Sequence, residues 1–257
     1  MAMAVRKSTL AASGILQTQI DETRAFFNKP RRTDPVENSS PSQKFVYAEI
    51  AKRLPVGRGN QTAVDLGCHW GRFCRFMAGS YGRVVGIDFA QQALETAIPS
   101  PRIEYRCGDL EKSPELLASF SPVHFYLAVG LFEMLQNPER LLENMRKYAS
   151  SGGRLAIVIP NPKSINFSFL RILLWLRKHL AKTPTGGIFH NHLSPEMLRV
   201  MVLRAGFAVD RFDYFVGTPI YMFDRLPRPI QSVILRCDAL FFRIFGGSYC
   251  YIQARVE

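Results

Sequence analysis

Two rhythms of apolar and polar residues alternate along the middle of the chain. Between residues 62 and 162, short and nearly continuous apolar runs alternate with segments whose apolar positions recur at helical spacing. The runs predict five strands, at "TAVDLGC", "RVVGIDF", "IEYRCGDL", "VHFYLAVG" and "RLAIVIPNP". The segments predict helices at "GRFCRFMAGS", "AQQALETAI", "PELLASF" and "NPERLLENMRKYAS", the last ended by "SGG". This alternation predicts an α/β fold with a doubly wound parallel sheet and helices on both faces.

The pattern changes after Pro162. Helical spacing predicts a helix at "SFLRILLWLRKHL", a loop follows at "KTPTGGIFHNHLS", and "SPEMLRVMVLRAGF" predicts a helix with Ser194 as its N-cap. The alternating "AVDRFDYF" predicts a strand, "RPIQSVILRCDALFFRIF" predicts one basic apolar helix, and "SYCYIQARV" predicts a closing edge strand. Ahead of the sheet, "SQKFVYAEIAKRL" predicts a helix capped by Ser40 or Ser42.

These patterns divide the chain into two parts. We expect an N-terminal segment over residues 1–40 and one α/β domain over residues 41–257. Prolines beside charged and serine residues in "FFNKPRRTDPVENSSPS" predict a loop between the two parts. Two basic apolar stretches, at residues 163–193 and 219–246, are interpreted as insertions into the domain.

Charge is distributed unevenly along the chain. Its 33 Lys and Arg residues against 21 Asp and Glu residues give a net charge of +12. Residues 61–160 are neutral, whereas residues 1–60 carry a net charge of +5 and residues 161–257 a net charge of +7. A basic periphery suits an anionic partner such as a membrane surface, an acidic substrate or a nucleic acid. The other interpretation is that this charge only keeps the protein soluble.

Cysteine and hydropathy patterns bear on the compartment. The five cysteines form no C-x-x-C pair, which argues against a disulfide framework or a zinc site and favours a reducing compartment. The longest apolar stretch, "INFSFLRILLWLRKHL", contains Arg171 and is too short to span a bilayer. We therefore expect a cytoplasmic protein. The basic apolar helices near residues 166–180 and 229–245 either contact a membrane surface or cover the sheet.

A turn after the first strand is the first candidate for chemistry. "AVDLGCHWGRFCRFMA" predicts a strand, a sharp turn between Gly67 and Gly71, and a helix whose free N–H groups point at a ligand. Asp88 ends the second strand, where it either accepts from both hydroxyls of a ribose or caps the next helix. Asp109 ends the third strand, where it either accepts a hydrogen bond from an adenine amine or is a turn or cap aspartate. These acids favour a nucleoside ligand, whereas the dinucleotide pattern G-x-G-x-x-G is incomplete.

The order of these motifs resembles one family. "VDLGCHWG", "VVGIDF", "IEYRCGDL", "LAVGLFEML" and "SGGRLAIVIPNP" together resemble the class I S-adenosylmethionine (SAM)-dependent methyltransferases, closely over residues 40–160 and more loosely to the end of the chain. The likeness is to the small-molecule branch that includes ubiquinone-type methyltransferases. It implies a Rossmann-like sheet of seven strands whose last strand is antiparallel.

The resemblance also implies a set of SAM-binding residues. The residues in and before the turn would shape the pocket for the methionine part of SAM. The residues after the second and third strands would hold its ribose and adenine, and the residues after the fourth strand would form the floor of the pocket. In chain order they are Asp65, Gly67, Cys68, His69, Gly71, Asp88, Phe89, Asp109, Leu110, Val129 and Gly130. His69 stands where the family usually has glycine, and we expect the turn to tolerate it. Cys68 is expected to be small and buried, without a nucleophilic role.

Methyl transfer to a hydroxyl benefits from a base that takes the proton. The candidates are His190 and His192 in "FHNH" and Glu133 after the fourth strand. Each histidine has an equally plain interpretation as a surface or capping residue. Met134 stands where some ubiquinone-type members have a histidine after the glutamate, so no metal is expected.

Three functions remain open on the residues alone. The first is a methyltransferase acting on a small molecule, with the methyl group going to a hydroxyl of a hydrophobic, lipid-linked or glycan acceptor. The second is a nucleic-acid methyltransferase, which the charge suggests, although "LAVGLFEML" stands where adenine-N6 enzymes carry their proline motif. The third is a non-catalytic SAM-binding protein. We expect the first, with no nucleic-acid partner.

Overall fold

The computed structural model describes most of the chain. The residues described are 18, 21–27, 39–166, 168, 172, 191, 193–218 and 226–257. Three predicted elements lie wholly or mostly outside the described residues. They are the helix "SFLRILLWLRKHL" apart from residues 168 and 172, nearly all of the loop "KTPTGGIFHNHLS", and the middle of the predicted N-terminal loop.

Seven strands form one sheet within the described residues. They are β1 (Thr62–Leu66), β2 (Arg83–Asp88), β3 (Ile103–Cys107), β4 (Val123–Val129), β5 (Ala149–Pro160), β6 (Phe207–Phe215) and β7 (Tyr249–Val256). Their order across the sheet is β3-β2-β1-β4-β5-β7-β6. The pairs among β1 to β5 are parallel, whereas β7 is antiparallel to both β5 and β6. The predicted fold class is confirmed.

Helices lie between and after the strands. They are α1 (Pro41–Ala51), α2 (Arg72–Met77), α3 (Gln91–Glu95), α4 (Pro138–Tyr148), α5 (Pro195–Arg204), α6 (Arg228–Arg236) and α7 (Asp238–Phe245), with 3-10 helices at Pro114–Phe120 and Phe132–Met134. Residues 21–27 are also helical. Of the two predicted caps of α1, Ser40 is the N-cap: its hydroxyl accepts from the Gln43 amide at 3.2 Å. Ser194 caps α5 as predicted.

Apolar side chains cover both faces of the sheet. Val64 and Leu66 of β1 point into the cluster that α4 and α5 complete, while Ala63 points into the cluster that α1 and α2 complete. Both faces of each central strand are therefore buried, which explains why these strands are nearly continuous apolar runs.

Non-local pairing changed several of the predicted elements. The closing strand β7 is not at the edge, because it pairs with β5 on one side and β6 on the other, and β6 forms the edge. β5 begins at Ala149 rather than after "SGG", since Ala149 pairs with Val123 ahead of a register shift. The single basic helix predicted after residue 227 is two helices, divided at Cys237.

The direction of β6 decides which loops lie together at the end of the sheet. Because β5 and β6 are each antiparallel to β7, β6 runs parallel to β5 and ends at the same edge as β1 to β5. The loops after β1, β2, β3, β4 and β6 therefore meet at one edge of the sheet. In the part of the chain that the structure describes, no helix has the length and apolar character that crossing a membrane requires.

Candidate active site

A cleft of about 350 Å³ opens at the carboxyl edge of the parallel strands. Residues that follow β1, β2, β3 and β4 form most of its wall, and residues from the helical segment 21–27 and from α1 complete it. The lining residues are Thr23, Arg24, Phe27, Tyr47, Gly67, His69, Trp70, Asp88, Phe89, Gly108, Asp109, Leu110, Glu111, Val129, Gly130, Leu131, Met134, Leu135 and Gln136.

Left-handed backbone shapes the turn between β1 and α2. Gly67, His69 and Gly71 have φ values of +72°, +49° and +70°. Glycine is required at position 71 for a second reason, since a Cβ there would overlap the Tyr105 hydroxyl. His69 adopts a conformation that costs an ordinary L-residue about 1–2 kcal/mol, so the surrounding contacts must hold it.

Asp88 is the residue that holds this turn. Its buried carboxylate accepts from the backbone N–H of His69 at 2.8 Å through Oδ2 and from the N–H of Ala90 at 2.8 Å through Oδ1. The bond to Ala90 is a local turn contact and differs from the predicted helix cap, because Ala90 is the N-cap of α3 and that cap has no side-chain hydrogen bond. Each carboxylate oxygen can accept two hydrogen bonds, so both retain capacity toward the cleft that Asp88 lines. The two roles are therefore compatible.

Asp109 is bound from two sides. Its Oδ1 accepts from the backbone N–H groups of Glu111 at 3.0 Å and Lys112 at 3.3 Å. Its Oδ2 accepts from Nη2 of Arg24 at 2.6 Å, in an ion pair whose two side chains are both largely shielded from solvent. Arg24 belongs to the helical segment 21–27, so this contact seats that segment against the cleft.

Aromatic rings form the wall on the turn side of the cleft. The His69 and Trp70 ring centroids are 3.6 Å apart, and the Phe27 ring meets His69 edge-on at 6.1 Å. Tyr47 of α1 and Phe89 also line the cleft. Apolar residues that follow β4, such as Leu131 and Leu135, line it too. The cleft thus combines carboxylates with a largely apolar and aromatic lining.

Three predicted site residues lie beside or beneath the turn and do not line the cleft. Asp65 is buried and accepts from Sγ of Cys74 at 3.3 Å, and burial raises its pKa to about 7. Cys68 is also buried, which raises the pKa of its thiol, as expected of a residue that packs and does not react. Gly71 is the residue before α2. These residues shape the turn from within.

Glu133 lies in the 3-10 turn that follows β4, beside the cleft but not in its wall. It is buried, and burial raises the pKa of its carboxyl to about 7. Among the described residues, its Oε2 has no hydrogen-bond partner. Oε1 lies 3.6 Å from the position that a Cβ on Gly130 would occupy, and Gly130 lines the cleft. This is a protonatable group close to the cleft floor.

Asn191 ties a distant segment to that turn. Its backbone N–H donates to the carbonyl of Glu133 at 2.8 Å, and its Nδ2 donates to the carbonyls of Phe132 at 2.8 Å and Leu135 at 2.6 Å. The two histidines on either side of it, His190 and His192, lie outside the described residues.

Several lining residues were not foreseen from the sequence. Thr23, Arg24 and Phe27 belong to the segment that we set apart from the domain, and Tyr47 belongs to a helix that we assigned no role. The i, i+4 spacing of Thr23 and Phe27 indicates one face of a helix, but nothing in that spacing indicates what the face contacts.

The sheet has the seven strands and the antiparallel last strand that the resemblance to class I SAM-dependent methyltransferases implies. The glycine-bounded turn follows β1, Asp88 ends β2, and Asp109 follows β3. Residues 64–157 match the family model described as a methyltransferase domain. The chain is therefore similar to class I SAM-dependent methyltransferases, most directly over residues 64–157, and SAM is the cofactor that this similarity indicates. No curated protein matches the chain.

Solved structures share this fold at low sequence identity. A SAM-dependent methyltransferase from Archaeoglobus fulgidus is 19% identical with a TM-score of 0.58, covering 82% of this chain and 93% of its own. One from Mesorhizobium loti is 20% identical with a TM-score of 0.57, over 82% of this chain and 97% of its own. Geranyl diphosphate C-methyltransferase from Streptomyces coelicolor is 15% identical with a TM-score of 0.56, over 93% of this chain and 98% of its own. At these identities the likeness shows the fold.

Proposed function

We propose that this protein transfers the methyl group of SAM to a hydroxyl of a small-molecule acceptor that is hydrophobic, lipid-linked or a glycan. The observation that carries the proposal is the cleft itself, in which two acids at adjacent strand ends face a largely apolar and aromatic wall. In this proposal Asp88 accepts from the ribose hydroxyls and Phe89 packs on the adenine. Asp109 accepts from the adenine amine, with Leu110 beside it.

The methionine part of SAM would lie over the turn at Gly67 and His69, above the floor formed by Val129 and Gly130. Its sulfonium carries a positive charge, and aromatic faces such as that of Trp70 attract cations. The acceptor would then enter from the apolar side, where burial of its own apolar surface favours binding.

The chemical step is a displacement at the methyl carbon. Bound SAM would supply an electrophilic methyl group: the acceptor oxygen would bond to that carbon as the carbon–sulfur bond breaks, and sulfur would keep the electron pair to give S-adenosylhomocysteine. The proton of the hydroxyl passes to a base. Glu133 is one candidate, because its Oε1 lies 3.6 Å from the position that a Cβ on Gly130 would occupy, and Gly130 lines the cleft. Burial raises the pKa of its carboxyl to about 7, which is matched to neutral pH. His190 and His192 remain the other candidates for the base.

Calorimetric titration with SAM and S-adenosylhomocysteine tests the cofactor assignment. We expect micromolar binding by the wild type and a loss of about 10- to 100-fold in Asp88→Asn, since hydrogen bonds to a charged group contribute about 1.5–3 kcal/mol. Glu104→Gln is the matched control, because Glu104 is on β3 and pairs with Arg83 and Arg106 away from the cleft. Circular dichroism confirms that each variant is folded. A folded wild type without affinity for SAM, or an Asp88→Asn variant that binds as the wild type does, overturns the proposal.

A further inference from the structure

Helices α6 and α7 expose a concentration of large apolar side chains. Ile230 and Val233 on α6, and Leu240, Phe242 and Ile244 on α7, are between 38% and 61% exposed. Ile230 and Val233 are three residues apart and Leu240 and Ile244 are four apart, so each helix carries an exposed apolar stripe. Single exposed apolar residues are ordinary, but five within 15 residues of chain form a surface of the kind that binds a partner.

Positive charge accompanies these stripes. Arg228, Arg236 and Arg243 are exposed, and no ion pair between described residues involves them. The one acid of residues 228–245, Asp238, is turned inward: its Oδ1 accepts from the backbone N–H of Thr218 at 2.8 Å and from the Thr218 hydroxyl at 2.6 Å. Within residues 228–245 the exposed surface is therefore apolar and cationic.

The two helices are fixed at the edge of the sheet where the cleft opens. They follow β6, which ends at that edge, and Asp238 ties the start of α7 to Thr218 in the loop after β6. The backbone of α7 approaches the same loop so closely that a Cβ on Gly217 would overlap Phe242. α6 packs against α1, whose Tyr47 lines the cleft. One helix therefore separates the exposed stripes from the cleft wall.

We infer that α6 and α7, which we call the rim helices, dock on the surface of an anionic lipid bilayer. Apolar stripes bordered by arginines are the chemistry that inserts between head groups while pairing with lipid phosphates and carboxylates. A second copy of the chain fits less well, because a two-fold interface would bring like arginines together. The inference deepens the proposed function, since docking would place the cleft next to the membrane in which a lipid-linked acceptor resides. It does not depend on that function, because docking needs no SAM.

Co-sedimentation of the full chain with large unilamellar vesicles tests the inference. We expect binding to vesicles of phosphatidylcholine with phosphatidylserine, weakened by salt, and little binding to phosphatidylcholine alone. Arg236→Gln should reduce the partition coefficient about fivefold, the effect of one basic residue near an anionic surface. The double variant Val233→Asp with Leu240→Asp should reduce it by more than about tenfold. Val200→Asp is the control, because Val200 is also an exposed apolar residue, at 45%, and lies on α5.

Thermal melts and SAM titrations of the same variants keep the result interpretable. Lost vesicle binding with unchanged melting and SAM affinity supports the inference. No binding to either vesicle, equal binding to both, or an equal loss in the α5 control overturns it. So does sedimentation equilibrium that shows a dimer dispersed by the rim-helix variants, since the occupant would then be a second copy. Failure of the wild type to bind SAM would overturn the proposed function and leave the docking result standing.

Discussion

Replacing His69 by glycine and, separately, by alanine would measure what the left-handed turn after β1 costs the fold. Both substitutions remove the imidazole and its contacts with Trp70 and Phe27, so those contributions cancel when the two variants are compared with each other. What differs is the backbone. Alanine keeps the cost of a φ near +49°, whereas glycine adopts that value freely.

The magnitude comes from two opposing terms. Left-handed backbone costs alanine about 1–2 kcal/mol, and glycine loses about 0.5–1 kcal/mol through its greater freedom in the unfolded chain. The glycine variant should therefore be more stable than the alanine variant by roughly 0.5–1 kcal/mol. For a chain of this length, that difference corresponds to a shift in Tm of about 1–4 °C. Relative to the wild type, alanine should lose about 0.5–1.5 kcal/mol of aromatic contact.

Urea unfolding monitored by circular dichroism, with thermal melts alongside, gives the comparison. Glu143 supplies the control pair, because it is exposed in the middle of α4. There the order should reverse, with glycine less stable than alanine by about 1 kcal/mol. An alanine variant at position 69 that equals or exceeds the glycine variant would refute the strained turn.

Two further predictions concern the turn after β4. Burial raises the pKa of Glu133 to about 7, so the folded state loses stability as pH rises from about 4.5 through 7 and the carboxyl ionises. The Tm of Glu133→Gln relative to that of the wild type should therefore rise over that pH window. A Tm that changes with pH in the same way in both proteins would contradict this prediction. Asn191→Ala leaves the carbonyls of Phe132 and Leu135 without their donor and should cost about 1–3 kcal/mol in urea unfolding. The control is Asn144→Ala, which removes one exposed hydrogen bond of the same kind and should cost under about 0.5 kcal/mol. An equal loss of stability in both variants would show that the hydrogen bonds of Asn191 do not stabilise the turn.

Local patterns were enough to find the central strands and the acids that follow them. β1 and β2 are buried on both faces, so their residues read as unbroken apolar runs, and Asp88 is recognisable because it ends such a run. The position of β7 was not predictable in this way. An alternating strand has the same pattern at the edge of a sheet as between two partners, and only its pairing with both β5 and β6 decides the matter.

The cleft was predictable only where its residues follow strands. Arg24 contacts Asp109, which lies 85 positions later in the chain, and no local sequence pattern predicts that contact. Glu133 was proposed from its place after β4, but its burial and unusual pKa depend on the packing around it. Asp238, the first residue of α7, likewise accepts hydrogen bonds from Thr218, which lies 20 positions before it.

With Asp109 in its proposed role, the ion pair between Arg24 and Asp109 would make seating of the N-terminal helix and binding of the cofactor linked equilibria. If Asp109 accepts from the adenine amine as we propose, the same Oδ2 that receives Arg24 lies at the adenine end of the cleft. If seating of the helix changes the affinity for SAM by a given factor, bound SAM changes the equilibrium constant for seating the helix by the same factor. A change that only loosens residues 21–27 would then alter the affinity of the protein for its cofactor without touching the methyltransferase domain.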